Sequence, residues 1–132
     1  MRIQVKDFMS SPVTTALKTN SVKEIRELMS LKGFNAVPVI QDSKKFPDAE
    51  ISIRGIVTAT DLSKEMDDSS TIESVMTSTR VYVTHKDSSA QSAAKMMLKH
   101  DVHHMVVMEE GKITGMISSL DFVKLVAEYS LE

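Results

Sequence analysis

The sequence predicts an α+β protein made of two copies of one unit, each ordered strand, helix, strand, strand, helix. Two observations support this prediction. The stretch "GIVTATD" (Gly55 to Asp61) returns 60 residues later as "GMISSLD" (Gly115 to Asp121). In addition, "SVKEIRELM" from Ser21 aligns with "SAQSAAKMM" from Ser89, with its apolar positions kept. Such internal duplication in a chain of 132 residues favours two half-size units.

The first helix of each copy is predicted from apolar residues at helical spacing, over 21–32 and 88–100. Capping residues mark where both helices begin. Ser21 is followed by Glu24, and Ser88 is followed by Gln91. This pattern is typical of a capping box, in which a hydroxyl and a carboxylate or amide satisfy exposed backbone N–H groups.

Short runs rich in valine and methionine predict the strands. They lie at 36–40 and 103–108, and second strands follow near 51–57 and 112–117. Glu110-Gly111 is predicted to form the hairpin turn of the later pair. In the first copy the strands are separated by an insertion within Gln41 to Arg54, a polar stretch that indicates a loop.

A helix is predicted after each second strand, at about 59–66 and 119–129. The later helix presents Phe122, Val126 and Tyr129 on one side. The predicted organisation is a first repeat at 1–67, a short linker at 68–70 and a second repeat at 71–132.

Composition limits the classes of function. A net charge of −2 gives no reason to expect nucleic-acid binding, and no apolar run approaches the roughly 20 residues of a membrane span. The chain has no cysteine, which excludes thiolate catalysis and thiolate metal sites. Because the N-terminal apolar stretch is also too short for a signal peptide, we expect a cytoplasmic protein. No paired nucleophile, carboxylate pair or metal cluster is evident, so we expect a protein that is not an enzyme and requires no metal.

The duplicated motif has two interpretations. In the first, the hydroxyl of Thr58 or Ser118 caps the helix, and Asp61 or Asp121 accepts from exposed backbone amides. In the second, the same groups bind a ligand. A helix N-terminus with a hydroxyl attracts phosphate, whereas an ionised aspartate needs a hydrogen-bond donor such as a ribose diol. The two roles are compatible.

The glycine of the motif favours the ligand interpretation. Gly55 and Gly115 precede the ends of the strands, where a Cβ would collide with anything lying against the backbone. We therefore expect both glycines to admit a ligand. A phosphate-binding group beside a sugar-binding group describes a nucleotide site.

Two tandem copies ending in glycine, apolar, any residue, serine or threonine, two residues and aspartate resemble CBS domains, the repeats named after cystathionine β-synthase. The resemblance covers nearly the whole chain. It implies two repeats packed about a pseudo-twofold axis with a cleft on each side. It also implies AMP, ADP, ATP or S-adenosylmethionine as the ligand.

The resemblance assigns roles to individual residues. Asp61 and Asp121 become ribose-binding groups, and Thr58 and Ser118 become phosphate-side groups. The adenine pocket is assigned to the first strand and to the segment that begins the second strand of each repeat. The matching residues are Val13, Thr15, Ala36, Val37 and Pro38 in one copy, and Val81, Val83, His104 and Met105 in the other.

The histidine pair of the second copy distinguishes the two predicted clefts. "DVHHMVV" is similar to segments of nucleotide-binding family members in which a histidine and an arginine approach phosphates. By that match His103 takes the place of the histidine and His104 replaces the arginine. The alternative is a half-exposed histidine without a ligand. The first copy has Asn35 and Ala36 there, so unequal affinities are expected.

Two functions remain compatible with these residues. One is an adenosine-nucleotide sensor, related to energy sensing, that signals to an unknown partner protein through its ligand-dependent conformation. An S-adenosylmethionine sensor is a variant of it. The other is an assembly module with vestigial sites, which contributes only a homodimer surface through helices such as 59–66 and 119–129. The complete motif in both copies favours binding.

Overall fold

The computed structural model describes residues 2–41 and 53–128, and within them it confirms the predicted α+β class. The described part contains two three-stranded sheets and four α-helices. Most of the predicted insertion, the residues 51–52 of its following strand, and Tyr129 lie outside the described residues.

The first repeat folds in the predicted order. Its elements are β1 (Ala16–Leu17), α1 (Val22–Lys32), β2 (Ala36–Ile40), β3 (Ile53–Thr58) and α2 (Ala59–Leu62). Strand β1 pairs with β2 in parallel, and β2 pairs with β3 antiparallel. The middle strand is buried because α1 covers one face of the sheet with Val22, Ile25 and Met29, at helical spacing.

The second repeat has the same order and the same pairing. Its elements are β4 (Val83–Thr84), α3 (Ala90–His100), β5 (His104–Glu109), β6 (Lys112–Ser118) and α4 (Ser119–Glu128). The predicted hairpin turn is confirmed. Glu110 and Gly111 have φ angles of 50° and 77°, and a two-residue turn of type I′ requires positive φ at both positions.

One predicted helix cap is confirmed and the other is displaced by one residue. The hydroxyl of Ser21 accepts the backbone N–H of Glu24 at 3.1 Å. At the second helix the cap is Ser89, not Ser88, and its hydroxyl accepts the N–H of Ser92 at 3.0 Å. The Ser88 carbonyl instead accepts the N–H of Val5. The prediction was wrong because that contact comes from a distant part of the chain.

Helix α2 ends at Leu62, four residues earlier than predicted. The guanidinium of Arg26 on α1 donates to the Leu62 carbonyl from Nε at 3.1 Å and from Nη2 at 2.8 Å. It also donates to the Lys64 carbonyl at 3.0 Å. A side chain therefore satisfies carbonyls that a longer helix would have bonded internally.

The predicted linker forms a turn. The backbone N–H and the hydroxyl of Ser69 donate to Oδ1 of Asp67 at 2.9 and 2.8 Å, which lowers the pKa of Asp67 below its ordinary value. This turn leads from α2 towards the second repeat.

The chain forms two compact units, and each takes a segment from outside its own repeat. The first unit is Thr14–Val81, and the second is Met1–Val13 with Tyr82–Glu132. We call residues 4–10 the N-terminal strap and residues 71–77 the middle strap. Each strap precedes one repeat in sequence and packs on the other, so the compact units have different chain bounds from the repeats predicted at 1–67 and 71–132.

The two straps make equivalent contacts. The N–H of Val5 donates to the Ser88 carbonyl at 2.9 Å, and the N–H of Ile72 donates to the Asn20 carbonyl at 2.8 Å. Val5 and Ile72 are both fully buried. Each unit has its own hydrophobic core, in which the strap side chain fills the space beside the first helix and the sheet. The first core contains Ile25, Met29, Val37, Val39, Val57 and Ile72, and the second contains Val5, Ala93, Met97, Met105, Val107 and Ile117.

Candidate functional site

The duplicated motif places a hydroxyl and a carboxylate at a strand-to-helix junction in each unit. In the first unit the N–H of Thr58 donates to Oδ2 of Asp61 at 2.9 Å, and the N–H of Asp61 donates to Oγ1 of Thr58 at 3.1 Å. In the second unit the same two bonds join Ser118 and Asp121 at 2.8 and 3.4 Å. The capping interpretation is therefore correct for both copies.

In each capping carboxylate, one oxygen takes no part in the cap. The bonds above engage only Oδ2 of Asp61 and of Asp121, and no donor within residues 2–41 and 53–128 reaches either Oδ1. Both side chains are half-buried. A fixed, partly exposed carboxylate oxygen can accept a hydrogen bond from a hydroxyl group of a ligand.

The neighbouring strand completes each junction. Ala36 at the start of β2 pairs with Thr58, and His104 at the start of β5 pairs with Ser118. Asn35, the residue before Ala36, bonds the first residue of α2. Its carbonyl accepts the N–H of Ala59 at 2.8 Å.

The second junction has the equivalent backbone hydrogen bond. The carbonyl of His103 accepts the N–H of Ser119 at 2.9 Å. This backbone role of Asn35 and His103 carries no side-chain signal, so the sequence could not have revealed it.

The histidine pair divides between two positions. His104 is half-buried on β5, and pairing with Ser118 places both side chains on one face of the sheet. His103 lies one residue before the strand and is exposed. The geometry thus gives His104, rather than His103, a sheet position shared with the motif hydroxyl. Assignment of His103 to phosphate stays a prediction.

The residues predicted to line the adenine pocket differ in exposure. The side chains of Val37, Pro38 and Met105 are fully buried within their units, so they can offer a ligand only backbone groups. Val83 is 42% exposed. The remaining predicted residues are half-buried: Val13, Thr15, Ala36, Val81 and His104.

The first strands lie slightly later than the adenine prediction assumed. Strand β1 begins at Ala16 and β4 at Val83. Val13, Thr15 and Val81 therefore belong to the segments that lead into these strands.

The motif glycines are explained by the protein's own chain. A Cβ at Gly55 would lie 2.7 Å from the carbonyl oxygen of Thr77 and 2.9 Å from the sulfur of Met76. A Cβ at Gly115 would lie 2.5 Å from the sulfur of Met9 and 3.0 Å from the carbonyl oxygen of Ser10. The straps occupy the space that the sequence argument assigned to a ligand, so that reason for the glycines was wrong.

One repeat signal in the sequence indicates that the two straps are equivalent. "FMS" at Phe8 matches "VMT" at Val75, 67 residues later. The match indicates that a Met in each strap has an equivalent place, although the sequence does not say that each strap packs on the other repeat.

The part of the chain that the structure describes lacks two features, a metal-binding cluster and a membrane-spanning helix. Residues 2–41 and 53–128 contain no group of three or more histidine, aspartate or glutamate side chains that could hold a metal ion. Within the same ranges, no helix has the length and apolar character needed to cross a membrane.

Comparison with known proteins identifies both halves of the chain. The model of the CBS domain family matches residues 5–68 and 72–128. Among solved structures, the CBS domain pair of protein MJ0100, in complex with 5′-methylthioadenosine and S-adenosyl-L-methionine, superposes with a TM-score of 0.81. That structure is 25% identical in sequence and covers 97% of this chain and 98% of its own.

Curated relatives are longer proteins. An uncharacterised protein of Methanocaldococcus jannaschii is 29% identical over 94% of this chain and 44% of its own length. The L-aspartate semialdehyde sulfurtransferase of the same organism is 31% identical over 92% of this chain and 23% of its own length. The chain thus spans less than half of these relatives, and the match falls on its pair of repeats.

Proposed function

The chain belongs to the CBS domain family, and on that basis we propose that it is a regulatory module that binds an adenosine compound. The observation that carries the proposal is the repeated junction. Both units present a carboxylate that is fixed by one oxygen and has its other oxygen without a donor in the described chain. The cap uses one carboxylate oxygen in each unit and leaves the second available to a ligand.

Asp61 and Asp121 are proposed to accept hydrogen bonds from the ribose hydroxyls. The backbone N–H of Thr58 or Ser118 holds Oδ2, which fixes the direction of Oδ1. Hydrogen bonds to a charged acceptor are stronger than neutral ones, so this contact supplies both affinity and orientation. The hydroxyls of Thr58 and Ser118 belong to the phosphate side of the same proposal.

Adenine nucleotides are the first ligand class that we propose. The exposed His103 and the half-buried His104 stand at the start of β5, where the first unit has Asn35 and Ala36. A histidine can donate to a phosphate oxygen, and it does so more strongly when protonated. The second site is therefore proposed to bind AMP, ADP or ATP more tightly than the first.

S-adenosylmethionine is the second ligand class. The structural neighbour with a TM-score of 0.81 holds S-adenosyl-L-methionine and 5′-methylthioadenosine. Both compounds contain the adenosine group that the ribose proposal requires, and neither carries a phosphate. A preference for them over the nucleotides would leave the two histidines without a phosphate-binding role.

Adenosine binding is tested by thermal shift and calorimetry with five compounds: AMP, ADP, ATP, S-adenosylmethionine and 5′-methylthioadenosine. A ligand at 100 times its Kd stabilises the folded state by about 2.7 kcal/mol. We expect a clear rise in Tm with at least one compound. No shift and no heat with any of the five would contradict adenosine binding and favour an assembly module with vestigial sites.

The role of the carboxylate is tested at Asp121. Replacement by alanine removes both oxygens, whereas Asp121→Asn keeps a carbonyl oxygen for the Ser118 N–H and loses the second acceptor. We expect both variants to weaken binding at the second site about ten- to a hundredfold, as for loss of about 1.5–3 kcal/mol. Only Asp121→Ala should also lower stability, by about 1 kcal/mol.

Asp61→Asn is the matched control, because it changes the first unit in the same way and should leave affinity at the second site unchanged. Both quantities are measured, affinity by calorimetry and stability by denaturant unfolding. Unchanged affinity in Asp121→Asn would show that the carboxylate is only a cap.

Regulation is proposed to operate on a partner chain. A ligand that binds one conformation better than another shifts the population towards it, and a partner that contacts the changed surface responds. The proposed partners are a second copy of this chain and a protein effector.

A further inference from the structure

Helix α4, which carries Asp121, is mostly exposed in the described chain. No described residue of α4 is fully buried. Leu120, Val123 and Val126 are 51%, 62% and 54% exposed. Phe122, next to Asp121, is one of the half-buried apolar residues of this helix and packs against the second core. The orientation of α4 thus depends strongly on what Phe122 contacts.

Phe122 meets an aromatic side chain from the N-terminal strap. The rings of Phe8 and Phe122 have their centroids 5.0 Å apart at an interplanar angle of 66°, an edge-to-face arrangement. Aromatic pairs in this geometry contribute free energy beyond the area that they bury. Rotation of α4 about its axis would break this arrangement and would also turn Asp121.

The same strap holds the other side of the junction. The N–H of Ser10 donates to the Met116 carbonyl at 2.8 Å, and the N–H of Met116 donates to the Ser10 carbonyl at 3.0 Å. The Met9 side chain lies over Gly115. Because Met116 precedes Ser118 by two residues, the strap contacts both elements that build the junction.

We propose that Phe8 is a positioning residue of the second site, acting through Phe122 to orient the Asp121 carboxylate. The proposal rests on the proposed function for its ligand. It has a regulatory consequence: occupancy of the second site and docking of the N-terminal strap are coupled. Coupling of this kind is reciprocal, so a ligand that needs the oriented carboxylate also stabilises the docked strap.

The first unit supplies a matched control. Val75 occupies the place of Phe8 in the middle strap, 67 residues later, and Leu62 occupies the place of Phe122. Both pack against the first core. Val75→Ala therefore removes an equivalent strap side chain without touching the aromatic pair.

The positioning role is tested without ligand by amide hydrogen exchange in the full chain. Phe8→Ala should speed exchange at the amides of Ser118 and Asp121 and leave those of Thr58 and Asp61 unchanged. Val75→Ala should do the reverse. Phe8→Tyr keeps the ring and should restore slow exchange.

Two exchange results would overturn the positioning role. One is unchanged exchange at Ser118 and Asp121 in Phe8→Ala. The other is an equal increase across all amides of β5 and β6, since that would mean general loss of stability and no specific effect on the junction.

The coupling is tested with whichever of the five adenosine compounds binds. Saturation should slow exchange at the Ser10 and Met116 amides. In an Asp61→Asn background, Phe8→Ala should weaken binding at the second site about two- to tenfold, and Phe8→Tyr should restore it. Binding with no change at the strap amides would overturn the coupling. Absence of binding by all five would overturn the proposed function and the coupling together, whereas the exchange experiment without ligand still decides the positioning role.

Discussion

At the scale of single residues, Gly55 and Gly115 lie where a strap crosses the last strand of a sheet. Their neighbours differ in kind. At Gly55 the nearest atom to an added Cβ is a backbone carbonyl oxygen, Thr77 O at 2.7 Å. At Gly115 it is the flexible end of Met9, at 2.5 Å, and the backbone oxygen of Ser10 is further away at 3.0 Å.

This difference predicts unequal costs for Gly55→Ala and Gly115→Ala. The methyl group at residue 55 must displace backbone that is hydrogen-bonded to Ile56, and we expect a loss of about 2–3 kcal/mol of unfolding free energy. At residue 115 the Met9 side chain can move, and the loss should be about 1 kcal/mol. Denaturant unfolding of both variants measures the order. Equal or reversed losses of unfolding free energy would mean that the backbone at Thr77 moves as freely as the Met9 side chain.

At the scale of elements, the beginning of α3 shows how a distant contact selects between two adjacent serines. Ser89 caps the helix through its hydroxyl, whereas the Ser88 backbone is bonded to the N-terminal strap. Local pattern alone favours either serine, because Gln91 lies three residues after Ser88 and Ser92 three residues after Ser89.

Ser89→Ala should therefore lower stability by about 1 kcal/mol through loss of the bond to the Ser92 N–H. Ser88→Ala is the control, and we expect a change of less than about 0.5 kcal/mol because its hydrogen bonds to His85 and Val5 use only the backbone. Thermal and denaturant unfolding give both values. A larger effect at Ser88 would return the cap to Ser88, the residue first predicted from the sequence.

Helix α2 is a single turn, and a side chain of α1 bonds the carbonyls at its end. Arg26 bonds the carbonyls of Leu62 and Lys64, and its Nη1 lies 3.1 Å from Oδ1 of Asp68. The guanidinium thus joins α1 to the end of α2 and to the linker turn. A helix this short needs tertiary contacts to persist.

Arg26→Met should lower the stability of the first unit by about 1.5 kcal/mol, the lower end for hydrogen bonds to a charged group, because Arg26 is partly exposed. Arg26→Lys should recover little of it, since one ammonium cannot reproduce the planar fork of donors. Hydrogen exchange at Ser63 and Asp61 reports the local effect. Glu27→Met, an exposed change on the same helix, is the control and should leave both amides unchanged.

At the scale of the whole molecule, the exposed apolar side of α4 is proposed as the surface that joins two copies. Leu120, Val123 and Val126 keep more than half of their surface exposed. A twofold dimer places the same face of each copy against its partner, so an apolar stripe on α4 is self-complementary. The counterpart α2 is shorter and exposes Ala59 and Thr60.

Val123→Lys should convert the proposed dimer to a monomer in sedimentation velocity, because a charge at the centre of the stripe must be desolvated on association. Leu98→Lys is the matched control. Leu98 is 83% exposed on α3, outside the proposed surface, and its replacement should leave the mass unchanged. A wild-type chain that sediments as a monomer at all accessible concentrations would contradict the dimer.

A second property of the whole chain is that each strap precedes one repeat and packs on the other. Val5 and Ile72 enter the cores as fully buried side chains from segments outside the repeat on which they pack. Neither unit therefore consists of one continuous repeat.

The sequence by itself determined the repeat, the order of elements, the Glu110-Gly111 turn and the two junctions at Thr58–Asp61 and Ser118–Asp121. These features depend on interactions within a few residues, and helical spacing, capping and turn chemistry record such interactions locally. Only the tertiary structure decided that Ser89 caps α3, that Arg26 ends α2, and that the straps account for Gly55 and Gly115. Each of these depends on groups from distant parts of the chain, and their approach leaves no periodic pattern in the sequence that could reveal it.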